Sequence, residues 1–244
     1  MQVSAASRPT SRSLSRLLAG AVVGWVAMSH AQAATFSGPI TVSLIAPGGT
    51  TTDGVSIDAT PLNLTQTLTP PSGVISPATG GDVGSFMLPG DLASGYGGEQ
   101  ISLSGTSLHL TVGEGASNGT TGYLGAGGEH ARYVFSGLNM AGLTITGVSF
   151  SAFDNFAASG FVGIDNLSAY SSGPGIRLLS PSSVEVDLDT LHFADRHLGE
   201  SVNHVDLAIS FTTAPAVPEP SSAALVLAGL GVLGAVAARR RPSV

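Results

Sequence analysis

Short runs of alternating apolar and polar residues occupy much of the chain between residues 34 and 214. Alternation places the apolar side chains on one face, as in a β-strand that is buried on one side. The most regular run has apolar residues at 205, 207, 209 and 211. Other runs contain Ile40, Val42 and Leu44; Val55 and Ile57; Leu62 and Leu64; Ile101 and Leu103; Leu108, Leu110 and Val112; Tyr133 and Phe135; Leu143 and Ile145; Val148 and Phe150; and Val184, Val186 and Leu188; residues 161–170 are a further candidate. We expect roughly nine to twelve strands and no amphipathic helix of three turns.

Glycine interrupts this alternation at two places. The phase slips at Gly105-Thr106 and again at Gly147, and such a slip beside glycine indicates either a tight hairpin or a β-bulge. A loop-rich stretch is predicted over about residues 69–99, and the glycine-rich residues 113–128 are predicted to form a mobile loop. Many short strands joined by turns predict an all-β protein, a β-sandwich of jelly-roll-like type.

The C-terminal residues follow a different pattern. Residues 221–238 are 18 residues without a charge, and their apolar side chains leave no polar helix face. At about 1.5 Å per residue they span about 27 Å, close to the thickness of a membrane core. Arg239, Arg240 and Arg241 follow, and because such clusters stay in the cytoplasm they set the topology, with the preceding residues outside. We predict a transmembrane helix here, and a buried core helix is the alternative.

The N-terminal residues have the three parts of a secretory signal peptide. Three arginines precede an apolar core of 12 residues, 17–28, which is short for a membrane span, and Ala31 and Ala33 form a small-x-small cleavage site for signal peptidase. An uncleaved anchor is the alternative. The predicted organisation is a signal peptide at 1–33, a β-sandwich domain at 34–214 and a C-terminal signal at 215–244.

The apolar segment is preceded by Val217-Pro218-Glu219-Pro220-Ser221, after a short, stiff linker at 212–217. A Pro-Glu-Pro motif, an apolar helix and an arginine cluster, in this order at the C-terminus, resemble the PEP-CTERM sorting signal. The resemblance implies that an exosortase, a membrane cysteine protease of Gram-negative bacteria, recognises Pro218, Glu219 and Pro220 and removes the helix. It also implies transient anchoring in the inner membrane, then transfer to the cell surface or extracellular matrix, where such proteins accompany exopolysaccharide and biofilm formation.

Composition narrows the range of partners. The chain has a formal charge of −7 and no cysteine, so disulfides cannot contribute to its stability. The region between residues 34 and 214 contains three arginines, fifteen acidic residues and no lysine, so its net charge is −12. A region this acidic repels phosphate backbones, so we expect no nucleic-acid partner.

The densest polar cluster has eight candidate metal ligands within twenty residues, and imidazole and carboxylate groups suit zinc or a similar ion. They are Asp187, Asp189, His192, Asp195, His197, Glu200, His204 and Asp206. The alternative is structural, because Glu185, Asp187 and Asp189 alternate along one strand as a solvated face would. On that interpretation the cluster binds divalent cations weakly or not at all, and no metal or cofactor is predicted.

Two Asp-Asn pairs, Asp154-Asn155 and Asp165-Asn166, form a second candidate site. The segments around them resemble exported sandwich domains, including carbohydrate-binding jelly rolls, which implies sugar or calcium binding. Asp-Asn pairs are also ordinary turn formers, because their side chains bond to their own backbone.

The sequence gives little support for a catalytic site. It has no cysteine nucleophile and no H-E-x-x-H motif, and its G-x-S-x-G string at residues 115–119 lies in a predicted glycine-rich loop and not at the strand-to-helix elbow of a hydrolase. We therefore predict a non-enzymatic structural or adhesive protein of the matrix. The alternatives are a carbohydrate-binding module, a secreted hydrolase or an ice-binding protein. The only tryptophan, Trp25, lies in the signal peptide, so stacking on sugars would depend on Tyr or Phe.

Overall fold

Strands dominate the part of the chain that the structure describes. The computed structural model describes residues 35–51, 56–91, 96–115, 119–153, 164, 175–193, 204–216 and 227–230. The chain divides into two compact units, residues 1–33 and 34–244, and all described residues belong to the second.

The described residues form fifteen strands and one single-turn helix, besides the helical residues 227–230. The elements are β1 Ile40–Ala46, β2 Gly49–Thr51, β3 Ile57–Asp58, β4 Leu62–Leu68, β5 Val74–Ile75, α1 Gly81–Gly84, β6 Pro89–Asp91, β7 Tyr96–Gly98, β8 Gln100–Ser104, β9 Ser107–Gly113, β10 Tyr123–Leu124, β11 Arg132–Ser136, β12 Leu143–Phe153, β13 Ile176–Ser180, β14 Ser183–Asp187 and β15 His204–Pro215. The predicted all-β class is confirmed.

Two five-stranded sheets carry most of these strands. The first sheet has the order β13-β14-β11-β1-β4 and the second has the order β12-β15-β9-β8-β5. Every pairing within them is antiparallel. A three-stranded sheet, β10-β2-β3, and the β6-β7 pair complete the described strands.

The two glycine slips have different structural outcomes. Ser104 pairs with Ser107, so Gly105 and Thr106 form a two-residue hairpin turn between β8 and β9. Gly105 has φ +60°, a backbone conformation that a residue without Cβ adopts at little cost. At the second slip β12 continues, with a register shift between Ile145 and Gly147 that marks a β-bulge.

The hydrophobic core draws side chains from both sheets. Residues at alternate positions of β1, β11 and β14 in the first sheet and of β8, β9 and β15 in the second belong to one buried cluster. Tyr133 and Phe135 are its largest fully buried members, with ring centroids 6.2 Å apart. Aromatic rings bury more apolar area than other side chains, so this pair contributes strongly to the burial that replaces disulfide stabilisation.

Several local predictions are wrong. Residues 113–128 are more than a mobile loop, because they include β10 and the buried side chains of Thr121 and Tyr123. The proposed linker at 212–217 is shorter, because β15 pairs with β12 as far as Pro215. β-branched threonines favour the pleated conformation, which explains the continuation of the strand.

Two predicted strands have other outcomes. Ile57 lies in a strand, but its side chain is exposed. The candidate strand at 161–170 lies outside the described residues except for Ile164.

Candidate functional site

A polar groove crosses the outer face of the second sheet. It has a volume of about 380 Å³ and is lined by side chains of β8, β9 and β15. The lining residues are Gln100, Ser102, Ser104, His109, Leu110, Thr111, Asp206 and Leu207. Both leucines are buried, so the hydrogen-bonding side chains of the other six residues set the chemistry of the groove.

Strand register determines which of these side chains are neighbours. Gln100 pairs with Thr111 and Thr111 pairs with Asp206, so the three form a row across the sheet. In the next row His109 lies between Ser102 and Ala208. Because neighbouring residues along each strand face the core, both rows lie on the outer face.

Asp206 is the only charged side chain among the described residues that line the groove. Its Oδ1 accepts a hydrogen bond from the Thr111 hydroxyl, which holds the carboxylate in place beside Thr111. The remaining oxygen lone pairs of Asp206, together with serine hydroxyls, an amide and an imidazole, offer both donors and acceptors to a ligand. Both described arginines of the 34–214 region, Arg132 and Arg177, lie in strands of the first sheet.

An ionic cluster lies on the outer side of the first sheet. Glu185 is buried between two guanidinium groups: Arg177 Nη2 contacts its Oε1, and Arg132 Nε lies 3.5 Å from its Oε2. Arg132 also donates from Nη1 to the carbonyl oxygen of His130 at 2.8 Å. Asp187 is fully buried beside this pair.

The charge of Asp187 depends on several neighbours. The pKa of its carboxyl is raised from 3.8 to about 6, chiefly by burial and next by the negative charge of Glu185. The charges of His130 and Arg177 act in the opposite direction but do not cancel the desolvation. Nearby, His130 Nδ1 lies 3.0 Å from Asp189 Oδ1. The prediction that Glu185 and Asp187 form a solvated face is therefore wrong, because both are buried.

A third polar cluster is centred on Glu99, between β7 and β8. Its buried carboxylate accepts hydrogen bonds from the backbone N–H of Leu88 at 3.0 Å and of Gly113 at 3.1 Å. The Tyr123 hydroxyl lies 3.2 Å from Glu99 Oε2 and equally far from the Phe86 carbonyl oxygen. Burial raises the pKa of Glu99 from 4.5 to about 7, although these hydrogen bonds lower it.

The eight candidate metal ligands are not gathered into one described site. Asp187 ends β14 in the first sheet, whereas His204 and Asp206 belong to β15 in the second. His192 is exposed, and residues 195, 197 and 200 lie outside the described residues. Within the described ranges, no group of three or more His, Asp or Glu side chains could hold a metal ion.

The residues predicted for sorting and cleavage lie outside the described residues. These are Ala31, Ala33, Pro218, Glu219, Pro220, Arg239, Arg240 and Arg241, and the same holds for Asp154, Asn155, Asp165 and Asn166. Of the predicted membrane helix, residues 227–230 are described and are helical. No described helix is long and apolar enough to cross a membrane.

Sequence reasoning did not identify the groove or Glu99. The groove did have a signal, because Ser102, Ser104, Ser107, His109 and Thr111 occupy the polar positions of two alternating runs around a predicted turn. Glu99 had no comparable signal, since its donors come from residues 11 to 24 positions away.

Comparison with known families found one match. Residues 216–241 match the PEP-CTERM protein-sorting motif, which includes the Pro-Glu-Pro motif, the apolar segment and the arginine cluster. Comparisons with curated proteins and with solved structures found no match. The sorting motif indicates an exported protein that is anchored transiently in the membrane and processed by an exosortase.

Proposed function

We propose that this chain is a structural or adhesive protein of the cell surface or extracellular matrix. The observation that carries the proposal is the sorting motif at residues 216–241. Export and processing bring a folded all-β region outside the cell, where its acidic surface favours solubility. Signal peptidase and an exosortase are then partners during maturation, and matrix exopolysaccharide is the partner afterwards.

The architecture we propose for the folded region is a β-sandwich of jelly-roll-like type. Two five-stranded antiparallel sheets contribute side chains to one buried cluster, as expected of two sheets packed face to face. Such a sandwich leaves the outer face of the second sheet, with the groove of β8, β9 and β15, available to other molecules. A polar face of this kind suits a protein that acts by contact.

A non-enzymatic role is supported by the way the groove is built. Serine, histidine and aspartate side chains line it, but acyl transfer also needs donors aimed at the developing oxyanion, often backbone N–H groups. The central strand of the groove, β9, lies between β8 and β15 and is paired along its length on both sides. Its N–H groups are directed along the sheet, away from a ligand in the groove.

The processing step follows from the conformation of the motif. Proline fixes φ, so Pro218 and Pro220 restrict the backbone on both sides of Glu219 before the protease binds. A preorganised segment loses less conformational entropy on binding than a flexible one. Glu219 then acts as a recognition group at the outer membrane surface, and the arginines hold the other end of the helix in the cytoplasm.

The test is mass spectrometry of the protein produced in an exosortase-bearing host. Wild type should lack the residues after the motif, whereas Glu219→Ala should stay membrane-bound and about 2 to 3 kDa heavier, at the average residue mass of the chain. The melting temperature should not change, because the substitution follows the last described strand, β15, in the sequence and removes no contact of the described core. Glu129→Ala is the matched control, since it removes a largely exposed glutamate within the folded region.

Two results would contradict the proposal. A wild-type protein that still ends at Val244 would make the apolar segment a permanent anchor. Normal processing of Glu219→Ala would remove the role assigned to that carboxylate. The control variant should be processed like wild type.

A further inference from the structure

We propose that the groove of β8, β9 and β15 binds a neutral polysaccharide, with the Asp206 carboxylate accepting hydrogen bonds from sugar hydroxyls. The inference rests on the proposed location outside the cell, where such chains are available. It assigns a ligand class to the groove, and it concerns a part of the chain separate from the sorting motif.

The construction of the groove favours recognition by side chains. β8 pairs with β5 and β9, and β9 pairs with β8 and β15, so the strand that forms the middle of the groove has no free edge. A peptide therefore cannot bind there by adding a strand, which is the common mode of sheet recognition. The ligand has to satisfy hydroxyl, amide, imidazole and carboxylate groups that project from the sheet.

Charge selects among the remaining ligands. No arginine is among the described residues that line the groove, and the chain has no lysine. Phosphate and carboxylate ligands are normally bound by such cations, so an anionic chain finds no cation among these residues and meets the negative charge of Asp206. A neutral sugar offers hydroxyl donors to that carboxylate and accepts from Ser102, Ser104 or His109.

Preorganisation also supports binding. The Thr111 hydroxyl holds Asp206, and both residues lie on strands that are paired on two sides. Rigid elements keep polar groups in position and reduce the entropy lost on binding. The volume of about 380 Å³ lies within the range of small-molecule sites, about 300–1,000 Å³.

The experiment is affinity electrophoresis of the full-length chain in a detergent without a sugar headgroup. Native gels contain dextran, galactomannan or xylan as neutral probes, or alginate as an anionic probe. Wild type should be retarded by at least one neutral polysaccharide and not by alginate. Asp206→Asn keeps an oxygen acceptor for Thr111 but removes the charge, so it should weaken retardation about tenfold or more.

Matched variants separate binding from folding. Asp82→Asn makes the same change at an exposed position in α1 and should bind like wild type. Ser102→Leu should block the groove with a bulky aliphatic side chain from a half-exposed position, and melting curves identify any variant that has unfolded.

Retardation by no neutral probe, by alginate alone, or equally in wild type, Asp206→Asn and Ser102→Leu would overturn the proposal. None of these results affects the processing experiment, so failure of the groove and failure of the sorting proposal are distinguishable.

Discussion

Glu99 and Glu185 are both buried, but their carboxyl groups have different kinds of partners. Around Glu99 the partners are neutral: two backbone N–H groups and the hydroxyl of Tyr123. Around Glu185 the partners are two guanidinium groups, Arg132 and Arg177. The same residue type is therefore a hydrogen-bond hub in one region and the centre of an ionic cluster in the other.

The difference shows how far neutral hydrogen-bond donors can offset the desolvation of a buried carboxylate. Three hydrogen bonds lower the pKa of Glu99, yet burial raises it to about 7, so desolvation is the larger effect. Near Glu185 two cations are available, and Asp187 still has a pKa raised to about 6 because it is buried beside another carboxylate. Of these three carboxylates, Glu185 is the one that contacts arginine side chains directly.

The largest expected effect is a pH dependence of stability caused by Glu99. Its pKa in the folded state, about 7, lies above the ordinary value of 4.5. The folded state therefore holds the proton more tightly. The stability that the protonated Glu99 contributes is fully present below about pH 4.5 and is lost as pH rises through 7. The free energy of unfolding should decrease by about 3 kcal/mol over this range. Urea denaturation from pH 5 to pH 8 measures this decrease.

Glu99→Gln tests the assignment, because glutamine does not titrate. Its free energy of unfolding should change less with pH, by about the 3 kcal/mol assigned to Glu99. The residual slope includes Asp187, whose raised pKa acts with the same sign. Equal slopes for wild type and Glu99→Gln would show that this carboxylate does not control the pH response.

The second effect concerns the ionic cluster. Glu185→Gln removes the negative charge between Arg132 and Arg177 but keeps a side chain of the same shape. We expect a loss of about 2 kcal/mol, below the about 3–5 kcal/mol typical of a broken buried pair, because Arg177 is 46% exposed. The substitution should also lower the pKa of Asp187, since the charge of Glu185 raises it.

Urea denaturation at pH 7 measures the loss, and NMR titration of the Asp187 carboxyl measures the pKa. A variant as stable as wild type would mean that hydrogen bonding alone supports the cluster.

The local sequence pattern predicted the strands but not the burial of Glu99 and Glu185. Strict alternation was sufficient for β1, β9, β11 and most of β15, because one face of each strand is buried. The two glycine slips had the same local signal, and the pairing partners decided the outcome: β9 returns beside β8, whereas β12 continues along β15. The residues at either slip do not by themselves distinguish a hairpin from a β-bulge.

The sites depended on contacts between distant residues. Asp206 reaches Thr111 across 95 positions of sequence, so the groove appears only once β9 and β15 are paired. Glu185 alternates with valines, which predicts a solvated side chain, but it is buried and pairs with Arg132 of the neighbouring strand. Hydrophobic periodicity predicts the face of the sheet on which a side chain lies, but it does not predict whether other residues bury that face.

The smallest expected effect compares the two arginines that hold Glu185. The Arg177 side chain is 46% exposed, whereas that of Arg132 is 20% exposed and also bonds to the His130 carbonyl oxygen. Arg177→Gln should therefore cost less than about 1 kcal/mol, as for exposed ion pairs, and its effect should shrink in high salt. Arg132→Gln should cost more, because it also leaves a backbone acceptor without its donor. Urea midpoints of both variants at low and high salt decide the order. Equal costs would mean that Glu185 depends on total positive charge and not on the buried geometry of Arg132.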